Sequence, residues 1–330
     1  MSGAAPPIVF AALYTLAGST AADASSLFTE RPASENVAKT AEINDVLFVS
    51  ATLIFVAMMV FTVIAVWGAV HTRRRFARPG LILFAGVAFP VTALTLLLTY
   101  TLSVTGPAKN GVTPMMRVEI KGELWWWRVR YFDSSGSLLF ETANEVRIPA
   151  GVPVEFVLLS DNVIHSFWVP ELGGKLDMVP GHVNRMTVHV RAPGVFQGQC
   201  AEYCGAQHAR MRFTVQALAP KAFHQWVGAQ SQPALSPGPQ LQQGAHLFFN
   251  ACARCHTVRG TRADGVTGPD LTHVASRSSL AAGTLPNNVG AIAGWITASQ
   301  HLKPGNLMPS FDHWSGADLR AVATYLGSLK

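Results

Sequence analysis

Residues 200–211, CAEYCGAQHARM, bring Cys200, Cys204, His208 and Met211 into one short segment, with Glu202 between the cysteines. Two thiolates, an imidazole and a thioether are a soft donor set suited to copper and electron transfer. A mononuclear blue-copper site takes two histidines, one cysteine and a weak methionine, so this segment holds one cysteine more than such a site uses. A second thiolate lets two copper ions share both sulfurs, and one further histidine must then come from elsewhere. His165 in SDNVIHSFWVP is the candidate, because it lies at a strand end and is followed by aromatic packing residues. A Cys200–Cys204 disulfide would suit an oxidising compartment. It would leave His165, His208 and Met211 without a role.

A second constellation lies fifty residues on. Cys252-Ala-Arg-Cys255-His256 is the C-x-x-C-H attachment signal of c-type haem, with two thiols for the vinyl groups and a histidine for the iron. A zinc site would need two more nearby ligands, and no further cysteine pair is left. A redox Cys-x-x-Cys needs no following histidine and belongs in a βαβ context that is missing here. Beyond residue 240 the sole methionine is Met308, in KPGNLMPSF, which makes it the second axial candidate. Thioether ligation raises a haem potential. His273, His301 and His313 are the bis-histidine alternatives.

These side chains need a scaffold. From residue 109 to 228 short runs such as MRVEIKG, WWWRVRYF, VPVEFVLLS, RMTVHVRA and RFTVQAL alternate with Gly, Pro, Asp and Ser. Period-two alternation of this kind predicts an antiparallel β-sandwich or barrel of roughly seven to ten strands. The copper-type segment then becomes a loop between two strands. In WWW the alternation turns Trp125 and Trp127 one way and Trp126 the other. Residues 229–240, AQSQPALSPGPQ, read as a semi-rigid linker. Residues 241–330 read as a small helical domain whose core the covalent haem would complete. Ser315 to Asp318 has a capping pattern, and Leu319, Val322, Ala323 and Leu326 share an apolar face.

The chain has 330 residues, 49% of them hydrophobic and 13% charged, a balance that suggests a membrane anchor. The 45–108 segment supplies it. Val46–Val70 and Pro79–Thr105 carry no charge, and each is long enough to cross a hydrocarbon core of roughly 30 Å as a helix. Arg73, Arg74, Arg75 and Arg78 lie between them, so the short loop is expected on the cytoplasmic side. The N-terminus and both redox domains are then outside, which is where c-type haem is attached. Pro90 sits within the second span, where a kink is tolerable if neighbouring helices satisfy the freed carbonyl. Residues 1–44 form an N-terminal segment; IVFAALYTLAG at 8–18 reads as a signal-peptide core or a short membrane-associated helix. The net charge of +6 has one short basic cluster, HTRRRFAR, held between two apolar spans, and no nucleic-acid partner is expected. His182, His189 and His224 are read as surface or packing residues, and Asp161 and Asp177 as loop residues.

CAEYCGAQHARM resembles the Cys-x-Glu-x-Cys-Gly-x-x-His-x-x-Met signature of subunit II of haem-copper cytochrome c oxidases. VIHSFWVPELGGKLDMVPGHVN and GELWWWRVRY are similar to further stretches of that family, as are two anchor helices ahead of a cupredoxin domain. The resemblance spans about residues 45–225. It implies a binuclear CuA centre with one copper on His165 and the other on His208, and Cys200 and Cys204 bridging both. Met211 and the Glu202 carbonyl would be weak ligands, and the Glu202 side chain would face a Mg²⁺ shared with subunit I. Trp125 would be the residue through which electrons enter, and Asp161 and Asp177 would lie near the subunit interface. Residues 241–330 resemble a class I cytochrome c, in which the Pro269 carbonyl of GPDL would accept the His256 Nδ1 proton.

The expected architecture is therefore a transmembrane hairpin, an all-β Greek-key cupredoxin domain and an all-α cytochrome c domain. The expected function is electron relay in a caa-type oxidase of a bacterial plasma membrane. Electrons would pass from cytochrome c or a cytochrome bc complex, through haem c and copper, to subunit I, where O₂ is reduced and protons are pumped. The linker would keep the haem domain at high effective concentration near the copper. A CuA subunit of a nitric oxide reductase and a membrane-tethered copper delivery protein are the alternatives. One departure stands out: RPGLILFAGVAFP, at the start of the second span, lacks the acidic residue and Trp-Thr pair that family members often use for proton entry.

Overall fold

The computed structural model describes residues 33–105 and 116–330. The reading of residues 8–18 lies outside the described residues. The chain divides into two compact units, one of them residues 35–112. In that unit α1 (Glu35–Trp67) is followed by a short basic helix, α2 (Val70–Phe76), then α3 (Pro79–Leu83), a π-helical stretch Phe84–Ala88, and α4 (Phe89–Thr105). Val37–Trp67 and Pro79–Ser103 are each long and apolar enough to cross a membrane, and their apolar windows are not buried within the protein. The first helix starts well before Val46, so Lys39, Glu42 and Asp45 ride on it. A proline removes an N–H and crowds the carbonyl four residues back. Around Pro90 the chain accommodates this with the wider π turn immediately upstream.

The β domain is two five-stranded sheets. One has the order β3 (Leu138–Ala143), β2 (Trp126–Phe132), β1 (Met116–Glu123), β5 (Pro153–Ser160), β8 (Asn184–His189). The other has β4 (Glu145–Pro149), β10 (Arg212–Leu218), β9 (Gly194–Cys200), β6 (His165–Trp168), β7 (Leu176–Met178). The wholly antiparallel expectation needs correcting, because β1 pairs with β5 and β10 with β4 in parallel. The cause is topological. After the β1–β2–β3 meander the chain crosses to the second sheet as β4 and returns as β5 beside β1. Alternation does hold: Val118 and Ile120 on β1, and Phe213, Val215 and Ala217 on β10, are buried while their neighbours are not. With Trp127, Val129, Tyr131, Phe156 and Leu158 they form the core between the sheets.

Four further helices follow: α5 (Pro220–Gln230), α6 (Gln242–Ala251), α7 (Val289–Leu302) and α8 (Gly316–Ser328). Helix α5 runs two residues into the 229–240 stretch, and Pro239–Leu241 is a 3₁₀ turn. Helices α6 and α8 cross closely at Gly244, where a Cβ would lie 2.1 Å from the Ala321 carbonyl oxygen. Ser315 caps α8 by accepting from the Asp318 N–H and donating to its carboxylate. Val322, Ala323 and Leu326 are buried as the periodicity predicts, together with Tyr325, and Leu319 is half-buried.

The sandwich and the helical domain belong to one compact unit. A simple tether is therefore the wrong picture: the domains are docked. Gln207 Nε2 donates to the Pro304 carbonyl at 2.9 Å, Arg128 Nη2 to that of Val266 at 2.9 Å, and the Arg212 N–H to that of Ala282 at 3.2 Å. Ser278 Oγ donates to the buried Glu145 carboxylate at 2.5 Å.

Candidate functional site

Strand β9 ends at Cys200, and β10 begins one residue after Met211, so the two strands clamp the loop between them. Their last rungs carry the Cys200 N–H to the Met211 carbonyl at 3.0 Å. His165 opens β6, in the same sheet. These elements bring all five candidate side chains together. Cys200 Sγ lies 3.8 Å from His165 Nδ1 and 3.7 Å from Cys204 Sγ. Cys204 Sγ lies 3.6 Å from His208 Nδ1 and 3.9 Å from Met211 Sδ. The Glu202 carbonyl oxygen is 3.2 Å from Cys200 Sγ. His165, Cys200, Cys204 and Met211 are all buried, and His208 is partly open.

This donor set fits a pair of soft metal ions. The cysteines are unbridged by a disulfide and share a hydrogen bond. The contact between the two thiols lowers the Cys200 pKa and raises that of Cys204, and a metal ion would hold both as thiolates. His165 Nε2 is engaged by Asn162 Oδ1 at 3.1 Å, leaving Nδ1 to face the sulfurs. Behind it, Trp127, Phe167 and Phe213 form a dry wall; the Trp127 and Phe213 ring centroids are 4.8 Å apart. Trp125 Nε1 donates to the Cys204 carbonyl at 2.8 Å.

The second site is a cavity of about 210 Å³ lined by Cys252, Cys255, His256 and Met308 and by apolar side chains including Leu271, Ile292, Ile296 and Phe311. His256 Nδ1 donates to the Pro269 carbonyl at 2.8 Å, which leaves Nε2 free as a ligand. Burial lowers the His256 pKa, favouring the neutral ring that binds iron. Burial pushes the Cys252 thiol up to about 12. A Cβ on Gly268 would lie 2.6 Å from the His256 ring, so only glycine leaves the ring its place. These residues fit a covalent haem. Trp125 and Trp126 of the β domain line the same cavity.

Residues 130–218 match the family model described as cytochrome c oxidase subunit II, periplasmic domain, and residues 241–330 match cytochrome c. Cytochrome c oxidase subunit 2 of Alkalihalophilus pseudofirmus is 40% identical over 215 residues, covering 64% of this chain and 61% of that one. Its counterpart from Apis koschevnikovi is 31% identical over 157 residues, covering 43% of this chain and 70% of the relative. The chain belongs to the cytochrome c oxidase subunit 2 family. The solved periplasmic domain of subunit II of cytochrome oxidase from Bradyrhizobium japonicum is 27% identical, with a TM-score of 0.34, over 36% of this chain and 94% of that one. The chain thus spans just over three fifths of the length of its Alkalihalophilus subunit 2 relative. The β domain is cupredoxin-like, and the two domain families imply copper and haem as cofactors.

Several residues that shape the sites carry no sequence signal. A Cβ on Gly122 of β1 would sit 2.6 Å from the His165 ring. Arg277 is half-buried beside this cavity, with its Nε enclosed and unpartnered. Desolvation lowers its pKa, against attraction from Asp270 and Glu145. Lys303, read only as part of KPGNLMPSF, is buried with its ammonium on three carbonyls. A glycine, an arginine and a lysine among many others are uninformative until folding gives them neighbours. The bis-histidine candidates differ from Met308: His273 hydrogen-bonds the Lys330 and Gln232 carbonyls, and His301 and His313 are exposed. None of the three lines the cavity. Glu202 is ion-paired to Lys175 at 3.1 Å.

Proposed function

We propose that this chain is the electron-relay subunit of a membrane-bound haem-copper oxidase. In this reading it takes electrons from an external cytochrome c or a cytochrome bc complex and delivers them to subunit I for O₂ reduction and proton pumping. His165, Cys200, Cys204, His208 and Met211, with the Glu202 carbonyl, would hold binuclear copper, and Cys252, Cys255, His256 and Met308 would hold haem c. When bound, the two groups supply one-electron carriers of high potential. The rest of the work falls to the protein. Strands β6, β9 and β10 fix the donor atoms from both sides, so the ligands need to reorganise little as charge comes and goes. The aromatic wall keeps water out. The single observation that carries this reading is the unbroken run of donor atoms from His165 through Cys200 and Cys204 to His208 and Met211, each step below 4 Å.

The arginine-rich α2 between two apolar spans supports an anchor with that turn in the cytoplasm and both redox domains outside a bacterial plasma membrane. Trp125 would be the entry residue, since it touches the copper loop and lines the haem cavity. Glu202 alone does not make a Mg²⁺ site. Its carboxylate faces the Lys175 ammonium, so a cation there would need ligands from another subunit. The test is metal analysis with optical and EPR spectra on the full chain in detergent. Two coppers and one haem iron per chain are expected. One copper per chain, or a near-infrared band untouched by Cys204→Ser, would overturn the binuclear assignment.

A further inference from the structure

Lys303 follows α7 directly and is 3% exposed. Its Nζ donates to the Trp125 carbonyl at 2.7 Å, the Arg210 carbonyl at 2.8 Å and the Ala281 carbonyl at 3.2 Å. The first two acceptors belong to the cupredoxin domain and the third to the haem domain. Three acceptors need three N–H groups, which only the ammonium offers. Burying that charge is costly unless its hydrogen bonds are complete. Arg210 adds a like charge nearby, and burial lowers the pKa to about 7. An apolar side chain would pack at this seam with less penalty. What the ammonium adds is direction, because it ties three separate segments at one point.

The surrounding backbone is strained to meet it. Ala281 and Ala282 both adopt positive φ, 51° and 58°, a region that non-glycine residues rarely enter. The strain aims the Ala281 carbonyl at Lys303, and the Ala282 carbonyl at the N–H of Arg212 on β10. Two residues beyond Lys303, Gly305 lies against the Trp125 indole; a Cβ there would be 3.5 Å from Cη2. On the copper side, a Cβ on Gly205 would be 3.2 Å from Cζ2 of the same ring. The indole is thus held between the loop that carries Met308 and the loop that carries Cys204. Lys303 fastens the backbone of that indole to the first loop.

We infer that Lys303 is a positioning residue for electron transfer within the chain: its ammonium locks the Met308 loop onto Trp125 and so fixes the spacing between the haem pocket and the copper loop. The inference rests on the relay function proposed above. It also carries a consequence. Trp125 is covered by the chain's own haem domain, so an external donor must reduce the haem and cannot reach the copper through this indole.

The test is Lys303→Met in the full chain in detergent, read in two ways. Hydrogen–deuterium exchange followed by mass spectrometry needs neither cofactor to be active. Peptides covering 205–212, 279–284 and 300–308 should exchange at least about tenfold faster in the variant, the factor that corresponds to ~1.4 kcal/mol, while β1 stays unchanged. Photoinitiated reduction of the haem should then show haem-to-copper transfer slowed by a similar factor, with both midpoint potentials and both optical spectra as in the wild type. Gln207→Ala, which removes the hydrogen bond to Pro304 without emptying a charged site, should act in the same direction and more weakly. Lys303→Arg should restore part of the protection. Unchanged exchange at the seam in both Lys303→Met and Gln207→Ala overturns the inference, as does slower transfer that follows a shifted potential. Wild-type protein without paired copper would sink the relay reading instead, and the exchange result would still decide whether Lys303 locks the seam.

Discussion

Gly122→Ala tests whether the sandwich holds His165 in place. Gly122 sits in the middle sheet position, paired with Trp127 on β2 and Ser160 on β5, so its backbone cannot drift without breaking two ladders. An added Cβ would lie 2.6 Å from His165 Cδ2, 2.8 Å from Cγ and 3.1 Å from Cβ. Ordinary contact starts near 3.4 Å, so the ring must retreat by about 0.8 Å, beyond the roughly 0.5 Å that a working ligand site tolerates. Retreat is blocked by Trp127, whose centroid is 6.3 Å from that of His165, and by the hydrogen bond to Asn162. Overpacking of this kind costs about 1–3 kcal/mol in fold stability. Moving one imidazole off line should weaken copper binding on the order of 10–100-fold. Copper titration against a competing chelator, with the full chain in detergent, measures the second effect, and chemical denaturation of the copper-free protein measures the first. Gly228→Ala is the control, since nothing lies within 4 Å of its added Cβ. Wild-type copper affinity and an unaltered near-infrared spectrum in Gly122→Ala would falsify the claim that β1 seats the histidine.

Asn162→Ala should free His165 Nε2 and lower copper affinity by about tenfold or more, measured by the same titration. Met308→Ala should lower the haem midpoint potential and abolish the weak sulfur–iron charge-transfer band; redox titration with optical detection reads both. Tyr131→Phe should cost about 1–3 kcal/mol in a denaturant titration, because the Arg147 N–H donates to the Tyr131 hydroxyl at 2.7 Å and would be left unpaired. Asp133, held below the ordinary carboxylate range first by the Ser135 hydroxyl and then by the Ser137 N–H, fastens the β2–β3 turn. Its contribution should be full above the unfolded value of about 3.9 and fade as pH falls through the lower folded value, which an NMR pH titration of the turn amides would show.

The two ligand clusters were legible because each is nearly contiguous. Cys200 to Met211 span one loop and Cys252 to His256 one turn, so spacing alone confines their atoms. His165 was legible through strand alternation, and the two spans through the length of their uncharged runs, since every backbone group in a bilayer must be bonded within its own helix. The parallel pairs β1–β5 and β4–β10 were not, because alternation tells which face is buried and says nothing of which strand lies alongside. Pro90 announced a disturbance in the second span, and the structure resolved it as a π turn at Phe84–Ala88.

By itself the sequence determined the chemistry: which soft ligands exist, in what local spacing, and that apolar helices precede them. Tertiary structure alone decided which nitrogen of His165 faces the sulfurs, why residues 122 and 268 must be glycine, and that the haem domain docks on Trp125 through Lys303. Local spacing constrains atoms a few bonds apart, whereas Lys303 meets Trp125 across 178 residues of chain, a contact that exists only once both cores have formed.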